Sequence, residues 1–295
     1  MSGDILILGG TGLLGRAMVS RLARVRRPFQ APGRAALDLT DPAAVVAAIE
    51  AMRPAAVFNL SGFTDVAAAE RSENLRAVTA LNAELPTALA AACARRRTPF
   101  VHVSTDYVFD GGKTTPYGER DPVNPLQIYG ATKLLGEKGV IAADPGALIA
   151  RVSTLYGPDR AHRPAYVDAI LAQARAMDEA GGGELAVVER PVASPTYAPD
   201  VAPALLDLLD RRASGLVHVV NEGAASRLEL ASATVALAGF AGRVAVGIRP
   251  EPPNALSRPA YSVLDTRKLQ TLIGRRLPAW DDALARYVRE LGVRG

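Results

Sequence analysis

Four apolar residues, Ile5-Leu6-Ile7-Leu8, run straight into Gly9-Gly10-Thr11-Gly12-Leu13-Leu14-Gly15, and a helical pattern follows over Leu13–Arg26. No other stretch restricts the fold as tightly as this strand, glycine turn and helix. Glycines at those places let the backbone turn sharply and approach a pyrophosphate, which then rests on the helix N-terminus. The spacing is GxxGxxG, not the GxGxxG of the commonest dinucleotide fold. Its place after an N-terminal strand reads as a cofactor loop, with Gly9, Thr11, Gly12, Leu13, Leu14 and Gly15 as candidate contacts.

The same rhythm continues through the first half. Strands expected at Asp4–Leu8, Ala56–Ser61, Pro99–Ser104 and Ala147–Val152 alternate with helices at Leu13–Arg26, Pro42–Met52, Ser72–Arg95 and Gln127–Ala143. Buried strands separated by helices imply parallel pairing through right-handed crossovers. The expected fold is therefore α/β, a Rossmann-type doubly wound sheet with ligands at the carboxyl ends of its strands. After Val152 the pattern loosens into helices near Pro164–Met177, Pro199–Arg212, Arg227–Ala238 and Asp281–Leu291. Loops such as Gly181-Gly182-Gly183 and Pro250-Glu251-Pro252-Pro253 part them. Residues 1–152 read as a cofactor-binding domain, and 153–295 as a smaller, mainly substrate-binding portion woven back onto it.

Composition narrows the partners. At 295 residues, with 49% hydrophobic and 22% charged, the chain can bury an ordinary core. The net charge of +4 comes from Arg scattered along helices, and 5% aromatic content leaves little to stack bases, so no nucleic acid is expected. The pattern shows neither a basic-then-apolar leader nor an uncharged apolar stretch near the ~20 residues of a membrane span. No membrane association is expected, and a cytoplasmic location is. Cys93, the single cysteine, lies in Ala90-Ala91-Ala92-Cys93-Ala94 and reads as a buried structural thiol. His102, His162 and His218 have no ligand spacing, so no metal is expected. His102 and His218 fall in apolar strand-like runs and read as hydrogen-bonded core residues.

Nicotinamide cofactors differ at the adenosine ribose. An acidic residue ending the second strand binds a 2′-hydroxyl, whereas Arg there pairs with a 2′-phosphate. The best second strand is Phe29–Ala35, which contains Arg34 and no carboxylate. Asp38-Leu39 follows and is placed to sit beside the adenine ring. Arg34 favours NADPH, with NADH left open.

A carbonyl reduced by hydride develops alkoxide charge and needs a proton donor. Tyr129-Gly130-Ala131-Thr132-Lys133 sets a phenol and an ammonium one helical turn apart, on one face. Such an ammonium is expected to lower the phenol's pKa and to bond a cofactor ribose hydroxyl. A hydroxyl ending another strand would orient the carbonyl. Ser104 and Thr105 both qualify, and because strand residues alternate faces only one should reach the site.

The glycine loop, Ser104-Thr105-Asp106-Tyr107-Val108-Phe109-Asp110-Gly111, Asn124-Pro125 and Tyr129 through Glu137 together resemble the extended short-chain dehydrogenase/reductases. Within them the chain is most similar to the dTDP-4-dehydrorhamnose reductases. The likeness continues through Phe63-Thr64-Asp65-Val66, Arg151-Val152-Ser153, Tyr156-Gly157, Ala193-Ser194-Pro195-Thr196-Tyr197, Arg258-Pro259 and Ser262-Val263-Leu264-Asp265. It implies a catalytic set of Thr105, Tyr129 and Lys133, and NAD(P)H reduction of the C4 ketone of a dTDP-linked 4-keto-6-deoxy-L-sugar. It also implies that Leu60-Ser61-Gly62 and Thr64 run along the cofactor, that Asp106 and Tyr107 lie near the sugar, and that Arg258 grips the diphosphate. A homodimer is left open.

Two departures stand out. Rhamnose-forming members carry an aromatic residue, usually Trp, where this chain has Thr154, which would alter the sugar that fits unless a neighbour such as Tyr156 fills the gap. Some members bind magnesium at a dimer interface through an acidic residue just after the glycine loop, where this chain has Arg16 and Ala17. The regulatory subunit of methionine adenosyltransferase resembles the same family and also lacks that Trp. A non-catalytic NADP-binding role is therefore the alternative to a ketoreductase, as is reduction of another sugar nucleotide or small-molecule ketone.

Overall fold

The structure, a computed structural model, describes residues 3–158 and 164–292; His162 lies outside them. The strands are β1 (Ile5–Leu8), β2 (Phe29–Gln30), β3 (Ala56–Asn59), β4 (Phe100–Thr105), β5 (Leu148–Val152), β6 (Gly183–Val187), β7 (Gly215–His218) and β8 (Val244–Ile248), with shorter two-residue pairings elsewhere. Six of them form one parallel sheet in the order β7-β5-β4-β3-β1-β2. The chain leaves β1 on one side and returns to β3 on the other, so a crevice opens between their carboxyl ends.

Strand alternation divides the sheet's side chains between two helical layers. Ile5, Ile7, Phe58, Val101 and Val103 face Leu14, Met18 and Leu22 of α1 (Leu13–Arg24). Leu6, Leu8, Val57 and Ile149 face Val45 and Ile49 of α2 (Pro42–Met52), Leu85 and Leu89 of α3 (Leu85–Arg96), and Val140 of α4 (Ile128–Ala143). Helix α3 ends a continuous helical run from Ser72 that includes a π segment at Ala80–Glu84. This run is 25 residues long, and an 18-residue window of it, at mean hydropathy 1.2, is apolar enough to cross a membrane, yet it packs as a core helix against α2 and α4. Cys93 lies on its buried face, and burial pushes the thiol up to about 12.

The second half divides its helices. α5 (Tyr166–Glu179) and α7 (Arg227–Leu237) cover the parallel pair β6–β8 with their own apolar cluster. By contrast α6 (Ala198–Asp210) packs on α1, β7 extends the sheet beside β5, and α8 (Arg267–Ile273) lies against both α6 and β7. Helix α9 (Trp280–Glu290) closes a third cluster with Tyr156, Tyr197 and Leu230. Late segments of the chain thus complete the sheet begun by the early ones.

One ion pair fixes α4 to this sheet. Arg151 of β5 donates Nε and one terminal nitrogen to the two oxygens of Glu137 at 2.8 and 2.6 Å, and both side chains are buried. The guanidinium also lies 5.0 Å over the Phe109 ring. Removing one partner of such a pair strands a charge in the core. Glu137→Gln should therefore lower the unfolding free energy by ~3–5 kcal/mol in urea denaturation, and a Glu137→Leu/Arg151→Met double variant should recover most of that loss.

Candidate active site

After β1 the chain turns through Gly9 at φ +82°, where a side chain is strained. A Cβ there would also come 2.7 Å from the Ser61 nitrogen, so glycine alone lets this turn pass beside the loop after β3. Gly12 caps α1 without a side chain, and no acidic residue occupies its first turn. The first N–H groups of α1 and the positive end of its dipole form a cradle that fits the pyrophosphate of a dinucleotide. Leu14 is buried and Leu13 half-buried in the core beneath, so these two shape the loop from below. Gly15 tucks against Gly9, and Thr11 is exposed at the loop's crest.

Across the crevice, the Leu60 N–H donates to the Leu8 carbonyl at 2.9 Å. Ser61 donates its N–H and hydroxyl to Asn59 Oδ1 at 3.2 and 2.6 Å. A Cβ on Gly62 would lie 3.8 Å from Lys133 Nζ, so the loop after β3 passes from the glycine turn to that lysine. Thr64 is exposed farther along the same loop. Asn82, from the π segment, ties that loop down: its Oδ1 accepts the Phe63 N–H at 2.8 Å and its amide donates to Thr132 at 3.3 Å.

The second strand is shorter than expected, two residues in place of Phe29–Ala35, because the chain turns from Gly33. Arg34 is exposed on that turn. The backbone and hydroxyl of Thr40 hold the Asp38 carboxyl below its usual range, and the Arg34 charge adds to this. Arg34 and Asp38 therefore share one corner, with half-buried Leu39 packed against the core below.

At the other end, β4 carries the Thr105 hydroxyl toward Tyr129, where it favours the ionised phenol. Ser104, its neighbour on the strand, is buried and its hydroxyl has no partner among the described residues. Gly130 lets α4 approach closely: a Cβ would come 2.2 Å from the Tyr107 carbonyl. The Tyr107 ring meets Tyr129 edge-on at 5.8 Å. The expectation that Lys133 pulls the phenol down is not met. Burial raises Tyr129 above its ordinary value and the Asp106 and Tyr107 charges add to it, with Thr105 alone opposing them. The reason is geometric, since Lys133 Nζ donates to the Val103 carbonyl at 2.6 Å. Burial lowers Lys133 itself to about 8, partly offset by Glu137 one turn along.

Asp106 does not project into open space. Its side chain is buried and accepts hydroxyl bonds from Thr105 at 3.1 Å, Ser153 at 2.9 Å and Ser262 at 2.6 Å. It acts on the site through Thr105. Thr154 is exposed at φ +40° and lines a small hollow of about 40 Å³ with Tyr107, Tyr166 and Arg227. Tyr156 does not fill the place of the missing aromatic. It is buried and stacks on Tyr197, while Tyr166, with the Arg227 guanidinium 4.9 Å over its ring, faces the hollow instead. Arg258 is half-buried beside Tyr107. A larger open hollow of about 720 Å³, lined by Arg24, Tyr197, Asp200 and Arg286 among others, includes none of the candidate site residues. Asn59, Asn82, Tyr166 and Arg227 carry no signal in the sequence, because each acquires its neighbours only through tertiary packing.

Comparison with known proteins gives one consistent result. The family model described as "RmlD substrate binding domain" matches residues 3–293. The chain is 36% identical to the dTDP-4-dehydrorhamnose reductase of Mycobacterium tuberculosis, over 95% of this chain and 91% of that one. It is 39% identical to a probable dTDP-4,6-dihydroxy-2-methyloxan-3-one 4-ketoreductase of Streptomyces antibioticus, over 88% and 85%. A dTDP-4-dehydrorhamnose reductase of Bacillus anthracis solved in complex with NADP superposes with TM-score 0.87 at 27% identity, covering 98% of this chain and 100% of that one.

Burial raises the Asp106 carboxyl to about 6, against the pull of its three hydroxyl donors. Between about pH 4 and 6 the folded chain holds this proton while the unfolded chain releases it, so the group's contribution to stability falls as pH rises through that window. The unfolding free energy of the wild type minus that of Asp106→Asn should therefore drop by up to about 3 kcal/mol from pH 4 to pH 7, measured by urea denaturation across the range.

Proposed function

The chain belongs to the dTDP-4-dehydrorhamnose reductase family, and from that membership we infer that it is an NADPH-dependent sugar-nucleotide 4-ketoreductase. The observation that carries the reading furthest into this chain is that the loop after β3 passes from Gly9 to Lys133, which shares α4 with Tyr129. Bound NADPH supplies the hydride.

The chain's own groups supply the rest. The first turn of α1 and the Leu60–Gly62 loop hold the dinucleotide, and Arg34 meets its 2′-phosphate at the far end. Tyr129 donates its phenolic proton to the carbonyl oxygen as charge develops there, and a phenol that resists ionisation in isolation keeps that proton until the oxygen demands it. Thr105, held in place by Asp106, orients the carbonyl. Lys133 offers a positive charge on the same helical face to a ribose hydroxyl. Tyr107, Thr154 and Arg258 border the sugar and diphosphate, with Tyr166 and Arg227 closing the side that Thr154 leaves open. The wall so formed differs from an indole in shape and charge, and it bears on which dTDP-linked 4-keto sugar is preferred.

The test is the loss of absorbance of NADPH, and separately NADH, with dTDP-6-deoxy-L-lyxo-4-hexulose. Oxidation by the wild type should be faster with NADPH, and Arg34→Ala should narrow that preference. Tyr129→Phe should lower kcat by ~10²–10⁴-fold while NADPH affinity is retained. Binding of both cofactors without oxidation of either would replace this reading with a different ketone substrate or a non-catalytic role.

A further inference from the structure

His102 is fully buried beside Lys133, and neither the family comparison nor the proposed mechanism uses it. Its surroundings determine its protonation from hydrogen-bond logic. The Ser61 backbone N–H can only donate, and it donates to Asn59 Oδ1 at 3.2 Å, as the Ser61 hydroxyl does at 2.6 Å. The oxygen of the Asn59 amide is thereby fixed, and its NH₂ is the end turned toward His102 Nδ1 at 3.2 Å. Facing that NH₂, Nδ1 accepts, which places the ring proton of a neutral histidine on Nε2. Nε2 lies 3.5 Å from Lys133 Nζ.

An ammonium has three donors and no lone pair, so it gains nothing from a facing N–H, whereas an amine accepts one. We propose that His102 is a positioning residue for Lys133: held by Asn59 as the Nε2–H tautomer, it presents a donor to the lysine nitrogen and loosens the lysine's hold on its proton. The other charged group facing Lys133 is Glu137 of α4, which acts in the opposite sense and is already engaged by Arg151 of β5. The imidazole itself stays neutral, because burial first and the Lys133 charge second push it well below its ordinary value, with the Asn59 backbone acting against them. The strand thus contributes a dipole, not a charge, to the lysine.

The significance of this arrangement rests on the reading that Lys133 serves the reaction, but the arrangement itself is measurable without turnover. Long-range proton–nitrogen NMR of the intact protein should show His102 with its proton on Nε2 and Nδ1 bare. Titration of the Lys133 side chain, followed by its Cε resonance and assigned with Lys133→Arg, should move upward by about one pH unit in His102→Phe, where the ring remains and the donor is gone. A proton found on Nδ1, or a Lys133 midpoint unchanged in His102→Phe, would overturn the proposal. Where His102→Phe fails to fold, the wild-type tautomer still tests the proposal, because a proton on Nδ1 overturns it. Failure of ketosugar turnover would leave both readouts untouched, so the two ideas are separable.

Discussion

The buried pair between Arg151 and Glu137 is the contact on which the site's geometry depends. Arg151 lies opposite Ser104 in the β4–β5 register, one residue from the Thr105–Val152 pairing, and Glu137 lies one turn beyond Lys133 on α4. The bidentate fork sets both the rotation and the height of α4 against β4, which puts Tyr129 and Lys133 at the strand ends. The same carboxylate also reaches Lys133 electrostatically and supports its charge. A structural link and a chemical setting are therefore one interaction, and a hydrophobic replacement of the pair would restore the packing without restoring that field.

A second polar centre holds the two halves of the molecule in register. Asp106 gathers hydroxyls from the end of β4, from the segment after β5 and from Ser262 in the last quarter of the chain. Its burial is tolerated because three donors converge on it. Any shift of the Ser262 segment is felt at Thr105 through two hydrogen bonds, so the placement of the substrate side and the orientation of the reacting hydroxyl are mechanically coupled.

Much of the first half was legible in the chain's pattern. The β1–glycine–α1 unit and the strands β3, β4 and β5 follow from apolar runs of the right length between helical patterns, and each matches the structure within a residue or two at most ends. Phe29–Ala35 was overestimated because an edge strand with one neighbour needs only two paired residues before Gly33 turns the chain. β6 and β8 left no clear mark because their alternation is irregular and their pairing is with each other alone. His102 was read as a hydrogen-bonded core residue and is one, but its partner Asn59, and Asn82 with its contacts, were unreadable for another reason. A buried amide looks like a flaw in an apolar strand until the partner that satisfies it, tens of residues away, is known. Ser153 and Ser262 stood in recognisable motifs, but their common acceptor emerges only when the chain is folded.

The position of β7 has a consequence for how the molecule is made. It is the edge strand beside β5, yet it leaves the ribosome only after the whole of 153–214 has been synthesised. For several seconds at ~5–20 residues per second, the nascent chain holds a five-stranded sheet whose β5 edge is unpaired and whose α1 face lacks α6. Such an edge invites pairing with another chain. Until β7 arrives, that edge of β5 has no strand beside it.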